Sequence, residues 1–238
     1  MPERFVFRQV HKDDLKLFLD DGEIRAKNHG NPQACHQTSY QTLVDRRGTA
    51  AFQMPCGGVV NDYVPFYFSP ITAFTHTIQK GNVRVTSPTG EYLGQSCQDD
   101  RIFFVARVQD FSNSDLVYCF SDYPLVSQAP APTLESNLNN IESHVHWDVF
   151  DESPVVAKIR EIGFEGVGQF YFNKANPPAR MTRSQKRRAE FLVKSSVPLS
   201  IIVCIVVISD RIRDELQTVM DASEWSIPIY TKRGCYFQ

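Results

Sequence analysis

Residues 201–208 read Ile-Ile-Val-Cys-Ile-Val-Val-Ile, the longest apolar run in the chain. A membrane-spanning helix needs about 20 such residues, so this run is too short to cross a bilayer and reads as a central β-strand. At 238 residues the chain is long enough to bury a substantial core around it. No Pro-rich or low-complexity linker divides the sequence, which predicts a single domain over residues 1–238. Hydrophobic residues make up 42% and charged residues 22%, the balance of a soluble globular protein and not of a disordered one. The N-terminus, Met-Pro-Glu-Arg-Phe-Val-Phe-Arg, lacks the apolar run of a secretory signal, so a cytoplasmic location is expected.

The remaining elements follow from periodicity and punctuation. Residues 5–10 read as a first strand, and Asp13 is placed to cap a helix whose Leu15, Phe18 and Leu19 recur at helical spacing before Gly22 stops it. Residues 26–40 are a polar loop, and 41–47 a short helix ending in the pair Arg46-Arg47. Residues 61–70 form a strand bounded by turn formers, with Phe66, Tyr67 and Phe68 in succession. Three aromatic residues in a row put rings on both faces, so one ring can line a pocket while the others fill the core. A helix over 71–80 closes at Gly81, and strands follow at 102–108 and 116–120. Residues 121–144, with Pro124, Pro130 and Pro132, read as an irregular loop over a site. Pro154 opens a predicted helix to Ile162, residues 209–222 form another, and short strands are expected around Ile229 and Tyr236. Strands and helices mix without strict βαβ alternation, which predicts an α+β fold.

The chemistry concentrates in residues 181–193, Met-Thr-Arg-Ser-Gln-Lys-Arg-Arg-Ala-Glu-Phe-Leu-Val. Between 174 and 188 there are six Lys or Arg and no acid, in a chain whose formal charge is -2. A local cationic strip of this kind suits a polyanion such as nucleic acid, or is simply a solvated helix face. Glu190 follows the strip at the start of the apolar stretch Phe191-Leu192-Val193, so its carboxylate is held at a strand start. It is either a catalytic group or the salt-bridge partner of Arg187 or Arg188. Six scattered cysteines without a Cys-x-x-Cys pair read as reduced thiols. His29, Cys35 and His36, and the pair His144 and His146, are the clusters nearest to metal ligands. Neither completes a ligand set, and no metal is expected.

Taken together, 62–68 (Asp-Tyr-Val-Pro-Phe-Tyr-Phe), 187–193 (Arg-Arg-Ala-Glu-Phe-Leu-Val) and 235–237 (Cys-Tyr-Phe) resemble the DarT family of DNA ADP-ribosyltransferase toxins in order and spacing. The match extends to Leu43-Val44-Asp45-Arg46-Arg47, before a Gly-Gly turn, and to His146-Trp147-Asp148. The resemblance implies an ADP-ribosyltransferase fold with a split, bent sheet, NAD as co-substrate in its cleft, and a single-stranded DNA base as acceptor. It puts Glu190 in the catalytic position, where a fixed carboxylate can bind the ribose 2′-hydroxyl and stabilise charge developing on the sugar, as in glycoside cleavage. It assigns Arg46 or Arg47 to the pyrophosphate and acceptor, and Tyr67 or Phe68 to the nicotinamide. Arg8 or Gln9 stands in for a first-strand histidine that many relatives have. The strip, with Arg180, Arg183, Lys186 and Arg187, would hold the DNA backbone. A macrodomain antitoxin of the DarG kind is the implied partner, no membrane is involved, and the chain is expected to be monomeric. Three segments depart from relatives that modify thymine: the first strand, Phe68-Ser69-Pro70-Ile71-Thr72-Ala73-Phe74, and Ser121-Asp122-Tyr123-Pro124. They tilt the expected acceptor towards guanine. Two other readings compete: a metal-dependent nuclease using Glu190, His144 and His146, and a non-catalytic nucleic-acid-binding module.

Overall fold

The computed structural model describes residues 2–49, 54–172 and 177–238. In chain order the elements are β1 (Phe5–His11), α1 (Leu15–Asp21), β2 (Glu23–Arg25), α2 (Gln41–Arg47), β3 (Tyr63–Tyr67), α3 (Ala73–Gln79), β4 (Arg84–Thr86) and β5 (Tyr92–Gln95). Then come β6 (Arg101–Arg107), α4 (Val108–Ser112), β7 (Tyr118–Ser121), β8 (Leu134–Glu135), α5 (Ile141–His144), β9 (Val155–Val156) and β10 (Val167–Gly168). The chain closes with α6 (Arg183–Lys186), β11 (Glu190–Lys194), β12 (Ser196–Pro198), β13 (Ile202–Val207), α7 (Asp210–Asp221) and β14 (Ile229–Thr231). Eight strands form one mixed sheet in the order β14-β13-β6-β1-β3-β11-β7-β8, flanked by short helices, so the α+β expectation is met. The apolar run 201–208 supplies β13, an interior strand parallel to β14 and antiparallel to β6. No helix among the described residues is long and apolar enough to cross a membrane.

The sheet is paired least extensively near its middle. β1 and β6 pair along their whole length, from Phe5 opposite Arg107 to His11 opposite Arg101. β3 and β11 likewise pair throughout, from Glu190 opposite Tyr67 to Lys194 opposite Tyr63. Between these halves β1 and β3 meet at Phe7 and Tyr67. The result is two well-paired halves that meet through one registered pair.

Alternation along β3 and β11 assigns the faces. Phe191 packs against Phe68, Phe111 and Tyr118, so it belongs to the aromatic core that also holds Trp147 and Phe150. Glu190 and Leu192 therefore project from the opposite face, as neighbours in a strand must. Leu192 lies there in a smaller cluster with Met54, Tyr63, Cys119 and Leu125.

Several expectations are corrected. Asp13 does not cap α1: a 3-10 turn (Lys12–Asp14) intervenes, and the His11 ring accepts the Asp13 backbone N–H at 3.3 Å. The Gly22 stop holds, with the residue in the left-handed region at φ 71°. Residues 154–162 are not a helix. Two β-branched valines make β9, which folds back on β10 through Gly166, where φ is 99° and a side chain would strike the Val156 carbonyl. Tyr236 is not in a strand. It follows a 3-10 turn (Arg233–Cys235), and its buried hydroxyl lies 2.9 and 3.0 Å from the carbonyls of Arg101 and Val206. The segment 121–144 is more ordered than a bare loop, because β8 pairs with β7 and α5 follows.

Candidate active site

Glu190 opens β11 and is 2% exposed. A carboxylate buried to that degree needs partners for its charge, and every element around it supplies one. The Arg47 guanidinium, at the end of α2, donates to both oxygens: Nη1 to Oε1 at 3.1 Å and Nη2 to Oε2 at 2.8 Å. The Leu125 backbone N–H donates to Oε1 at 3.2 Å, and the Glu190 N–H itself donates to Ser121 Oγ at 3.0 Å. Two-pronged pairing of this kind fixes orientation as well as charge. The arginine that meets Glu190 is thus Arg47, neither Arg187 nor Arg188, and not Arg46. Burial works against charge on Arg47, but the adjacent carboxylate outweighs it and raises the guanidinium's pKa.

Tyr67 lies directly opposite Glu190 on β3. Its phenol is pushed up to about 12, first by burial and then by the neighbouring carboxylate, so it is a neutral hydrogen-bonding ring at physiological pH. Arg8, from β1, reaches into the opening between the sheet halves and donates Nη1 to the Pro65 carbonyl at 3.2 Å. Burial lowers its pKa, and its charge is felt at Tyr67, Arg47 and Glu190. Its Nε is buried without a partner among the described residues. An orphaned guanidinium N–H beside a cleft is a donor waiting for an oxygen, and a pyrophosphate oxygen suits it. The residues present therefore fit NAD: Arg8 for the pyrophosphate, Tyr67 as an aromatic wall, Glu190 for the ribose.

Of the paired alternatives, the structure brings in Arg47, Arg8 and Tyr67. Phe68 is corrected: it is 2% exposed and packs at 5.2 Å on Trp147, on the face opposite Glu190, so it is core. Gln9, next to Arg8 in β1, is half-buried and projects from the other face of the strand.

The cationic strip divides sharply. Lys174 lies outside the described residues. Arg187 is corrected most strongly: 2% exposed, it donates Nη1 to the carbonyls of Val149 at 3.0 Å and Gly168 at 2.5 Å, and Nη2 to Ser69 Oγ at 3.0 Å and the Ile71 carbonyl at 3.2 Å. It braces the fold and cannot touch a phosphate. Arg183 is also buried, ion-paired with Glu152 and 4.6 Å over the Tyr171 ring. Arg180 is 57% exposed with a long contact to Glu152 at 3.4 Å, and Lys186 reaches Asp148 at 3.4 Å. Among the described residues of the strip, these two flank a depression of about 170 Å³ that a polyanion could approach.

Sequence reasoning missed four contributors. Arg188 is half-buried and close enough to Tyr67 to act on its phenol. Ser121 and Leu125 hold Glu190 from the segment read as an irregular loop. A histidine does lie in the first strand: His11 closes β1, just after Val10, and stacks on His36 at 4.1 Å. The nuclease reading fails on geometry. His144 is turned to the Thr133 carbonyl, His146 packs on Tyr123, and Glu190 belongs to no metal-spaced cluster among the described residues.

A curated DNA ADP-ribosyl transferase from Thermus sp. (strain 2.9) is 26% identical over 215 residues, covering 90% of this chain and 86% of the relative. Among solved structures, Thermus sp. 2.9 DarT in complex with ADP-ribosylated ssDNA superposes with a TM-score of 0.76 at 24% identity, over 98% of this chain and 96% of that one. The same protein in complex with NAD+ gives 0.73 at 23% identity, over 100% and 99%. These likenesses carry the fold. The family model described as "ssDNA thymidine ADP-ribosyltransferase, DarT" matches residues 7–237, nearly the whole chain, and the chain therefore belongs to the DarT family.

Proposed function

We propose that this chain transfers ADP-ribose from NAD to a base of single-stranded DNA, with Glu190 as the catalytic carboxylate. The observation that carries this is the buried Glu190, held at a strand start and locked by Arg47, beside the orphaned Arg8 donor. NAD, when bound, supplies the ADP-ribosyl group and a nicotinamide leaving group. Glu190 offers fixed negative charge where positive charge develops on the sugar, and preorganised charge of this kind costs no rearrangement during reaction. Arg47 orients that carboxylate with its two-pronged contact. Arg8 binds phosphate oxygens, and the neutral Tyr67 ring excludes water from the leaving group's side.

The test is incubation with labelled NAD and single-stranded oligonucleotides, with and without a chelator. Label on the DNA, insensitive to chelator, is the expected result. Binding without transfer would leave only a nucleic-acid-binding module. For the acceptor base we propose guanine, because the loops after β3 and β7 depart from the pattern of relatives that modify thymine. Oligonucleotides each lacking one base decide it, and label lost only when thymine is omitted would overturn the choice in favour of the base in the family model's description.

For DNA binding the reading rests on Arg180 and Lys186, the accessible cations of the strip. Each phosphate neutralised on a single strand contributes about 0.7 to the slope of log K against log salt. Replacing both by Gln is expected to weaken binding and flatten that slope by about 1.4, with NAD affinity unchanged. Equal losses in NAD and DNA binding would mean that the strip serves the co-substrate.

The proposed setting is a cytoplasmic monomer restrained by a macrodomain antitoxin that removes the modification. A bulky, doubly charged adduct on a pairing edge cannot be copied, so expression of the chain alone is expected to arrest growth and induce a DNA-damage response. Arrest by a folded Glu190→Ala variant as strong as that by wild type would trace toxicity to binding instead of chemistry.

A further inference from the structure

The segment between β7 and β8 grips Glu190 at two points. Ser121 Oγ accepts the Glu190 backbone N–H at 3.0 Å, and further along the segment the Leu125 backbone N–H donates to Glu190 Oε1 at 3.2 Å. Between the two grips lies Asp122, whose carboxylate ties the ends of the segment together. Its Oδ1 accepts the Thr133 backbone N–H at 2.7 Å, and its Oδ2 accepts the Thr133 hydroxyl at 2.8 Å. We propose that Asp122 is a positioning residue for the transfer reaction, closing the 122–133 loop so that the Leu125 N–H holds Glu190 in its working orientation, a role that rests on Glu190 being the catalytic carboxylate.

What Leu125 adds to Glu190 is asymmetry. Arg47 donates one N–H to each oxygen, at 3.1 Å to Oε1 and 2.8 Å to Oε2, and by itself leaves the two alike. Each carboxylate oxygen has two lone pairs to offer. Among the described residues, Oε1 takes donors from both Arg47 and Leu125, whereas Oε2 takes only Arg47 and keeps a lone pair for a ribose hydroxyl. A third bond also stops the carboxylate from turning with the arginine that holds it. Orientation matters in rate terms, since a misplacement of about 1 Å in a reacting group can cost about a hundredfold.

A backbone donor is only as fixed as the chain around it. The β7–β8 ladder is short, pairing Phe120 with Glu135 and Ser121 with Leu134. Beyond it the chain runs from Asp122 to Thr133 without helix or strand, and Pro124, Pro130 and Pro132 remove backbone donors from that stretch. The inner part of the loop is anchored by Leu125, whose side chain is fully buried among Leu192, Tyr63, Met54 and Cys119. Ser127 fastens it further, its N–H donating to the Pro124 carbonyl at 2.8 Å and its hydroxyl to the Pro130 carbonyl at 2.7 Å. The base of the loop depends on Asp122. Its backbone N–H reaches the Thr133 carbonyl only at 3.4 Å, so the two short side-chain bonds carry the closure. Asp122 is half-buried and Thr133 exposed, so the clamp lies at the surface and outside the hydrophobic core.

The test compares Asp122→Ala with Asp122→Asn in the full chain, using labelled NAD and a single-stranded oligonucleotide that contains every base. Ala removes both acceptors offered to Thr133. Asn keeps Oδ1 for the Thr133 N–H, and its amide can donate to the Thr133 hydroxyl, so the clamp survives without the charge. Asp122→Ala is expected to lower kcat about 10–100-fold. The KM for NAD, the NAD-binding stoichiometry and the melting temperature should stay at wild-type values, and Asp122→Asn should restore kcat. Stoichiometry is the readout that damage to the fold would move and a turned carboxylate would not. Glu190→Gln, run in parallel, separates the two assignments. If it loses transfer while Asp122→Ala keeps wild-type kcat, Glu190 stands and the clamp is overturned. Wild-type turnover by Glu190→Gln overturns both. A loss in Asp122→Asn as deep as in Asp122→Ala would place the charge of Asp122 itself on the substrate, and a loss matched by missing NAD sites would make the clamp purely structural; either result overturns the positioning role.

Discussion

Glu190→Gln and Glu190→Ala are expected to lower transfer of ADP-ribose to DNA by at least a hundredfold. Removing one preorganised electrostatic contact from a transition state typically costs about 3 kcal/mol or more. Here the lost contact is a full charge held by Arg47 and the Leu125 N–H. The two substitutions separate chemistry from architecture. Gln keeps an acceptor for the Leu125 N–H and for one Arg47 N–H but removes the charge and one acceptor; Ala removes both acceptors and leaves Arg47 without its carboxylate. Arg47 is 17% exposed at its side chain, so it can turn towards water, and both variants should still fold. DNA binding through Arg180 and Lys186 should persist in each. Wild-type-like turnover by folded Glu190→Gln protein would remove Glu190 from the chemistry and leave its ion pair with Arg47 a purely structural one.

The buried carboxylate of Glu190 was legible because its context is local. A lone acid between a basic run and an apolar strand is visible in thirteen consecutive residues, and the structure places it at the start of β11 as that pattern requires. The strands and their aromatic faces were legible for the same reason, since alternation and turn residues act over a few positions. What lies across the site was not. Arg47 and Glu190 are 143 positions apart, and which member of the Arg46-Arg47 pair points inward depends on how α2 is docked, through Asn61 donating to the Val44 carbonyl at 3.0 Å. Phe68 and Tyr67 are equivalent in composition but lie on opposite faces, and only the register against β11 tells them apart. The helix expected over 154–162 is absent because the two valines of β9 pair with β10 instead, across a connection in which Gly166 takes a left-handed φ of 99°.

Arg187→Ala is expected to destabilise the fold by about 3–5 kcal/mol, the cost of breaking a buried, hydrogen-bonded charge site. The sequence placed Arg187 in a DNA-binding strip on the strength of its neighbours, Lys186 and Arg188. Its surroundings show why a charge count cannot assign it. The guanidinium lies under the Gly168 and Val149 carbonyls on one side and the Ser69 hydroxyl and Ile71 carbonyl on the other, with the Phe150 ring 5.4 Å away. Burial, followed by the nearby Arg183, brings its pKa down to about 9, so it stays charged at neutral pH without a carboxylate of its own. Truncation leaves buried carbonyls without a donor, each a desolvated acceptor costing about 1–3 kcal/mol if water cannot reach it. Lysine cannot substitute, because one ammonium nitrogen does not span acceptors that a planar guanidinium reaches with two. Arg187→Lys should therefore also destabilise, by less. Chemical denaturation measures both, and the salt dependence of DNA binding, taken on folded protein, should keep its wild-type slope. An Arg187→Ala protein as stable as wild type, with a flattened salt slope, would return this arginine to the DNA. Loss of stability with an unchanged slope would identify it as the brace that joins the loop after β3 to β10 and fixes the turn from which Glu190 emerges.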